Sequence, residues 1–254
     1  MASRRLPNST PAVLRTLRAA HDTYLNTAIA ADRAITAEQF AQLNLATPTS
    51  MQSRFIKESS DVDIAQAAQS PLTSDLTQKA ARLTMFVSHF HQVLDLGIAR
   101  SDFAIGTRSY YGRDVSATAL PDLSTYEAVA DAAAKIATGE AARALADGSG
   151  YLAMSLPSAG DVGTHEALFL AAFAASQRAQ VKTDEERADV STLYPEAQAL
   201  AVDLCDTIEF YYRKDPDPAS RRAKCSRWGV VYFYEPNETP DPVVPPAPVT
   251  PPQP

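Results

Sequence analysis

Residues 72–100 read LTSDLTQKAARLTMFVSHFHQVLDLGIAR. Leu72, Leu76, Ala80, Leu83, Val87, Phe90, Leu94 and Gly97 recur at spacings of three and four. A helix turns by about 100° per residue, so this rhythm gathers them into one apolar stripe. Phe86 and Val93 widen it on one side. Ser70 and Pro71 read as the helix start: a hydroxyl that accepts a backbone N–H, then a proline where its missing donor costs nothing. Such a helix is about 40 Å long at roughly 1.5 Å per residue. It cannot bury its stripe alone, so other helices are expected to cover it, and the fold class is mostly α.

Toward lower numbers, residues 45–71 are rich in Ser, Thr, Gln and Asp and poorly periodic. They read as a long connection with one short helix around 63–69. A short helical turn is expected at 37–45. Thr10-Pro11 repeats the cap-then-proline signal and opens a helix to about residue 34, with Val13, Leu14, Leu17, Ala20, Tyr24, Ala28 and Ala31 inward. Residues 1–9 are expected to be a flexible N-terminus.

Toward higher numbers, Gly106, Gly112 and Pro121 break the 101–123 stretch into a loop, with Phe103, Ile105, Tyr110 and Tyr111 to pin it down. Ser124 with Glu127 forms a capping box for an alanine-rich helix that ends at Gly148. Ser158 with Asp161 opens a helix to about residue 181, and Leu168, Phe169, Ala172, Phe173 and Ala175 form its apolar side. Thr183 with Glu186 reads as another cap. The next long helix is placed at 193–213 because Pro195 disturbs a helix interior. WGVVYFY, from Trp228, is β-branched and aromatic and reads as a strand whose partner is expected in the 101–123 loop. Residues 235–254 hold half of the 18 prolines and read as a disordered Pro-rich tail.

The expected architecture is therefore an antiparallel four-helix bundle over 10–234 with a small C-terminal β element. Two duplicated αα-hairpins are an alternative topology, since HDTYLNTAIAADR from His21 aligns with HEALFLAAFAASQ from His165.

Composition sets outer limits. The 254 residues suffice for one large domain or two small ones, and 45 % hydrophobic with 21 % charged content is ordinary for a globular chain. A net charge of −7 argues against a general polyanion binder. MASRRLPNSTPAV carries no apolar run of the conventional secretory type, and no stretch approaches about 20 apolar residues. The expected compartment is the cytoplasm, with export by an unconventional route as the alternative. Cys205 and Cys225 form neither a disulfide framework nor a metal set and read as reduced thiols.

Chemistry-bearing patterns are sparse. His89 and His91, two apart on a helix, lie about 200° apart and cannot share a metal. His89 is expected near the stripe edge and His91 outward. There is no Gly-rich phosphate loop, no GxSxG and no catalytic cysteine signature. Glu209 is expected to pair with Arg213, four residues on. The sharpest charge feature is RKDPDPASRRAKCSRWG, where Arg213, Lys214, Arg221, Arg222, Lys224 and Arg227 outnumber the acids and Trp228 closes the run. It reads as a solvated basic loop or an interaction surface, with nucleic acid disfavoured by the overall charge.

MFVSHFHQVLDLGIARSDFAIGTRSYYGRD, GEAARA and YYRKDPDPASRRAKCSRWGVVYFY resemble a family of bacterial helical hypothetical proteins over about residues 75–235. The resemblance implies no activity, substrate or site.

The functional expectation is a non-catalytic structural or interaction protein that self-associates or docks to a protein partner. Its candidate surface is Arg213, Lys214, Arg221, Arg222, Lys224, Arg227 and Trp228, with Tyr110 and Tyr111. No cofactor, metal or membrane span is expected. The alternative is a bundle that binds an apolar small molecule beside Phe86, Phe169 and Phe173.

Overall fold

The computed structural model describes residues 3–234, so the tail expected at 235–254 lies outside the described residues. The chain is mostly helical, with one two-stranded sheet. Strand β1 (Ser3–Arg5) leads to helices α1 (Thr10–Asn26), α2 (Ala37–Leu43) and α3 (Met51–Ala99). A 3-10 segment (Ile105–Tyr111) precedes α4 (Tyr126–Asp147), and α5 (Ala159–Tyr212), α6 (Pro218–Arg227) and β2 (Val231–Phe233) follow. Among the described residues no helix is long and apolar enough to cross a membrane.

The two longest helices overturn the expected segmentation. α3 absorbs most of the supposed connection and carries Pro71 inside it; α5 fuses the helices expected at 158–181 and 193–213 and carries Pro195. An interior proline removes one backbone hydrogen bond and crowds the carbonyl four residues back. Here Pro71 and Ala67 are exposed, as are Pro195 and Ser191. The carbonyls left without donors face water, so the helices continue. Thr183, expected as a cap, is buried and donates its hydroxyl to the Ala179 carbonyl at 3.0 Å. α1 ends at Asn26 rather than near 34, where the Thr27 hydroxyl turns back onto the Thr23 carbonyl at 2.7 Å. The cap of α4 is Thr125, one residue beyond the expected Ser124.

The chain divides into two compact units. The first takes residues up to Ile64 and from Asp184 onward; the second is Ala65–Thr183. In the first, Val13, Leu17 and Ala20 of α1, Met51 and Phe55 of α3, and Ala201, Leu204 and Ile208 of α5 share a core with Trp228. Each set follows a three-four spacing, so each helix buries one stripe. Residues 3–5, expected to fray, pair antiparallel with β2 in the register Ser3↔Phe233, Arg4↔Tyr232, Arg5↔Val231. The 101–123 loop is therefore not the partner of β2. Gly229, at φ +96°, lets the chain turn into that strand where a side chain would meet Ala19 and Thr16.

In the second unit, Leu76, Ala80, Leu83, Val87, Phe90 and Leu94 of α3 are buried as the stripe requires. They pack with Val129, Ala133 and Ile136 of α4 and with Val162, Phe169 and Ala172 of α5. The 3-10 segment crosses α4 at Gly139, where a Cβ would lie 2.1 Å from the Tyr110 carbonyl oxygen.

Candidate functional site

The basic-aromatic run does not form one free surface. Asp217 caps α6 by accepting from the Ala219 and Ser220 N–H groups, with Pro218 in the first turn, so the supposed loop is a helix. That cap-then-proline signal stood in the sequence beside the charges. Trp228 is buried and donates from Nε1 to the Tyr212 hydroxyl at 3.0 Å. Lys224 meets Asp215 at 2.6 Å, Arg213 lies 3.7 Å over the Phe210 ring, and Arg222 stands 5.9 Å from the Tyr234 ring. Arg221 is half-buried, while Lys214 and Arg227 are exposed. Glu209 does not take Arg213; it accepts from Arg4 at 3.1 Å and from the Tyr232 hydroxyl at 2.6 Å. In the second unit Tyr110 is partly exposed, but Tyr111 is core.

Tyr111 leads to the polar cluster that sequence reasoning missed. Its hydroxyl donates to Glu140 and accepts from Arg143 Nε at 2.8 Å. Glu140 and Arg143 are three apart on α4 and face each other at 2.9 Å. Arg143 is 1 % exposed. Its Nη2 donates to the Leu152 carbonyl at 2.8 Å, and the rings of Phe103 and Tyr151 lie 5.2 and 4.7 Å from its central carbon. Glu140 Oε1 also accepts from the Tyr151 hydroxyl and from the Met154 N–H. Burial alone would raise the Glu140 pKa, but the donors from Tyr111, Tyr151, Arg143 and Met154 outweigh it and hold the carboxyl below its ordinary range. Burial and the neighbouring carboxylate push Tyr111 up. An ionised, fully engaged carboxylate is a clamp on the 151–154 backbone. GEAARA carried the Glu–Arg spacing, but read alone it is an ordinary helix-surface ion pair.

A second clamp holds the 101–123 loop to α3. Asp95 accepts from Arg108 Nε at 2.9 Å and from Arg113 Nη1. Arg113 Nη2 reaches the Ala117 and Ala119 carbonyls, and Arg108 Nη1 the Val115 carbonyl. His91, expected outward, is fully buried, and His89 is exposed. Both His91 ring nitrogens and Arg113 Nε are buried without a hydrogen-bond partner among the described residues. Burial first, and the Arg113 charge second, lower the His91 pKa to about 4, with Asp95 opposing. Phe86 and His165 lie with ring centres 4.1 Å apart and planes tilted by 47°, and Tyr126 stands edge-on to Phe169 and Phe173.

In the first unit a groove of about 640 Å3 opens along α1, with Leu14, Val62 and Val190 in its lining and Arg15, Arg18 and Arg187 around it. On the neighbouring α3–α5 surface, carboxylate oxygens of Glu58, Asp61 and Glu186 come within 4.8 Å of one another. Lys57 is bonded to Glu58 at 3.1 Å and to Asp61 at 2.8 Å. Those lysine contacts account for the closeness of two of the acids.

Comparison with protein-family models, with curated proteins and with solved structures finds no match to this chain.

Proposed function

We propose that this chain is a non-catalytic interaction protein that self-associates or docks to a protein partner, and that the loop before α5 is its contact surface. The observation that supports this is the pairing of exposure with fixation. Leu152 is 57 % and Leu156 87 % exposed. The backbone between Leu152 and Met154 is tied to the buried Arg143–Glu140 pair. Apolar side chains on a mobile loop lose part of any binding gain to ordering; on a clamped loop that loss has been taken at folding. Leu152 on this fixed stretch, with Leu156 two residues beyond Met154, fits the anchor geometry of a contact surface. The antiparallel bundle belongs to the same reading, with its outer helix faces as further contact area.

Light scattering on the full chain at several concentrations tests it, beside Leu152→Ser with Leu156→Ser. The expected result is a mass above that of one chain which rises with concentration and falls to one chain in the double variant. A single-chain mass throughout would remove self-association. An assembly indifferent to the two substitutions would remove this loop as its surface.

A further inference from the structure

The first unit's groove carries an inference independent of the interaction surface. α1 turns Leu14, Arg15 and Arg18 toward it, with Arg18 three residues after Arg15 and four after Leu14, so one helix face supplies both apolar floor and positive charge. Val62 of α3 and Val190 of α5 complete the floor, both half-buried. Arg15 and Arg18 have no ion pair or side-chain hydrogen bond among the described residues. In a chain with a net charge of −7, two unneutralised guanidinium groups over an apolar floor stand out.

The charges on the α1 side of the groove set the sign of the occupant's charge. Arg187 is held by Asp184 at 3.2 Å, and Asp63 also lines the groove. Among the lining residues Arg15, Arg18 and Arg187 face the one carboxylate of Asp63, while the acids Glu58, Asp61 and Glu186 cluster on the adjoining α3–α5 surface with Lys57 against the first two, so the positive charge of the groove is confined to Arg15 and Arg18 on its α1 side. α1 begins at the groove with no side-chain hydrogen bond from Ser9 and no acid in its first turn, which adds the positive end of a helix dipole. A volume of about 640 Å3 lies within the roughly 300–1,000 Å3 of small-molecule sites.

We propose that this groove binds a small free monocarboxylate with an unbranched apolar body, the body over Leu14, Val62 and Val190 and the carboxylate on Arg15 and Arg18. The test is calorimetric titration of the full chain with decanoate. Acetate supplies the head alone, and decyltrimethylammonium the same tail with opposite charge. Decanoate is expected to bind while both controls give no saturable heat. Arg15→Gln with Arg18→Gln is expected to weaken decanoate at least tenfold, and Leu14→Ser to weaken it without restoring the cation. Both arginines are exposed, so the double variant is expected to keep its helical circular dichroism. No decanoate binding, equal binding of decyltrimethylammonium, or an unchanged affinity in the folded double arginine variant would each overturn the assignment.

Discussion

Arg113 and Asp95 meet through a forked contact in which one guanidinium nitrogen lies 3.0 Å from each carboxylate oxygen. The arginine is 3 % exposed at its side chain, and the aspartate sits one helical turn after His91. This contact fastens a glycine-broken loop to the central helix.

Asp95→Ala is expected to destabilise the chain by about 3 kcal/mol, because Arg113 keeps a buried charge with no carboxylate against it. Urea unfolding measures the loss, and limited proteolysis between residues 104 and 119 should speed up with it. A loss below about 0.5 kcal/mol, the size of an exposed pair, would show that the contact does not hold the loop.

His91 gives the second unit an acid sensitivity. Its folded pKa is about 4 against an ordinary 6.5, so the unfolded chain binds the extra proton first. Stability is therefore complete above pH 6.5 and is lost as pH falls toward 4, by about 3 kcal/mol at roughly 1.4 kcal/mol per unit. Arg113 on the loop side and Asp95 on its own helix are the charges that act on it. His91→Phe keeps the ring and removes the titration. Its denaturation midpoint should be flatter across that window than that of the parent chain; equal slopes would refute the assignment.

Two glycines in helices should answer alanine in opposite ways. Gly139→Ala places a methyl 2.1 Å from the Tyr110 carbonyl oxygen, and a loss of about 2–3 kcal/mol is expected from forced backbone movement. Gly163→Ala in α5 meets nothing within 4 Å and should gain about 0.5–1 kcal/mol from helix propensity. Thermal unfolding of both variants decides the matter.

Glu140→Gln leaves the buried Arg143 with only the more distant and more exposed Asp147, at 3.6 Å, as counter-charge, at a cost of about 2 kcal/mol. Hydrogen exchange at the Met154 amide should accelerate. Any assembly through the 151–157 loop should weaken although Leu152 and Leu156 remain. Unchanged assembly with accelerated exchange would separate the clamp from the contact.

The stripe from Leu76 to Leu94 was legible because burial on one helix face writes itself as spacing. The prolines misled because their rule is local, whereas the fate of a freed carbonyl depends on which side of the helix meets water. Residues 51–64 were opaque for a related reason. Met51 and Phe55 are buried there, while most of their neighbours are polar, so the stripe is too thin to read. Trp228 and Tyr111 looked like surface aromatics beside charges, yet each buries its ring and satisfies its polar tip on a partner distant in sequence. Nothing in a one-dimensional pattern announces that Tyr111 will close on Glu140.

The pairing of β1 with β2 also orders events in time. Arg4 finds Glu209 across 205 positions of chain, and the strand it sits on finds its partner still further on. During synthesis the second unit, continuous from Ala65 to Thr183, has all its core residues in hand before the first unit has received α6 or β2. A nascent chain would thus carry a folded middle while its earliest residues wait, unpaired, for the strand that closes over them.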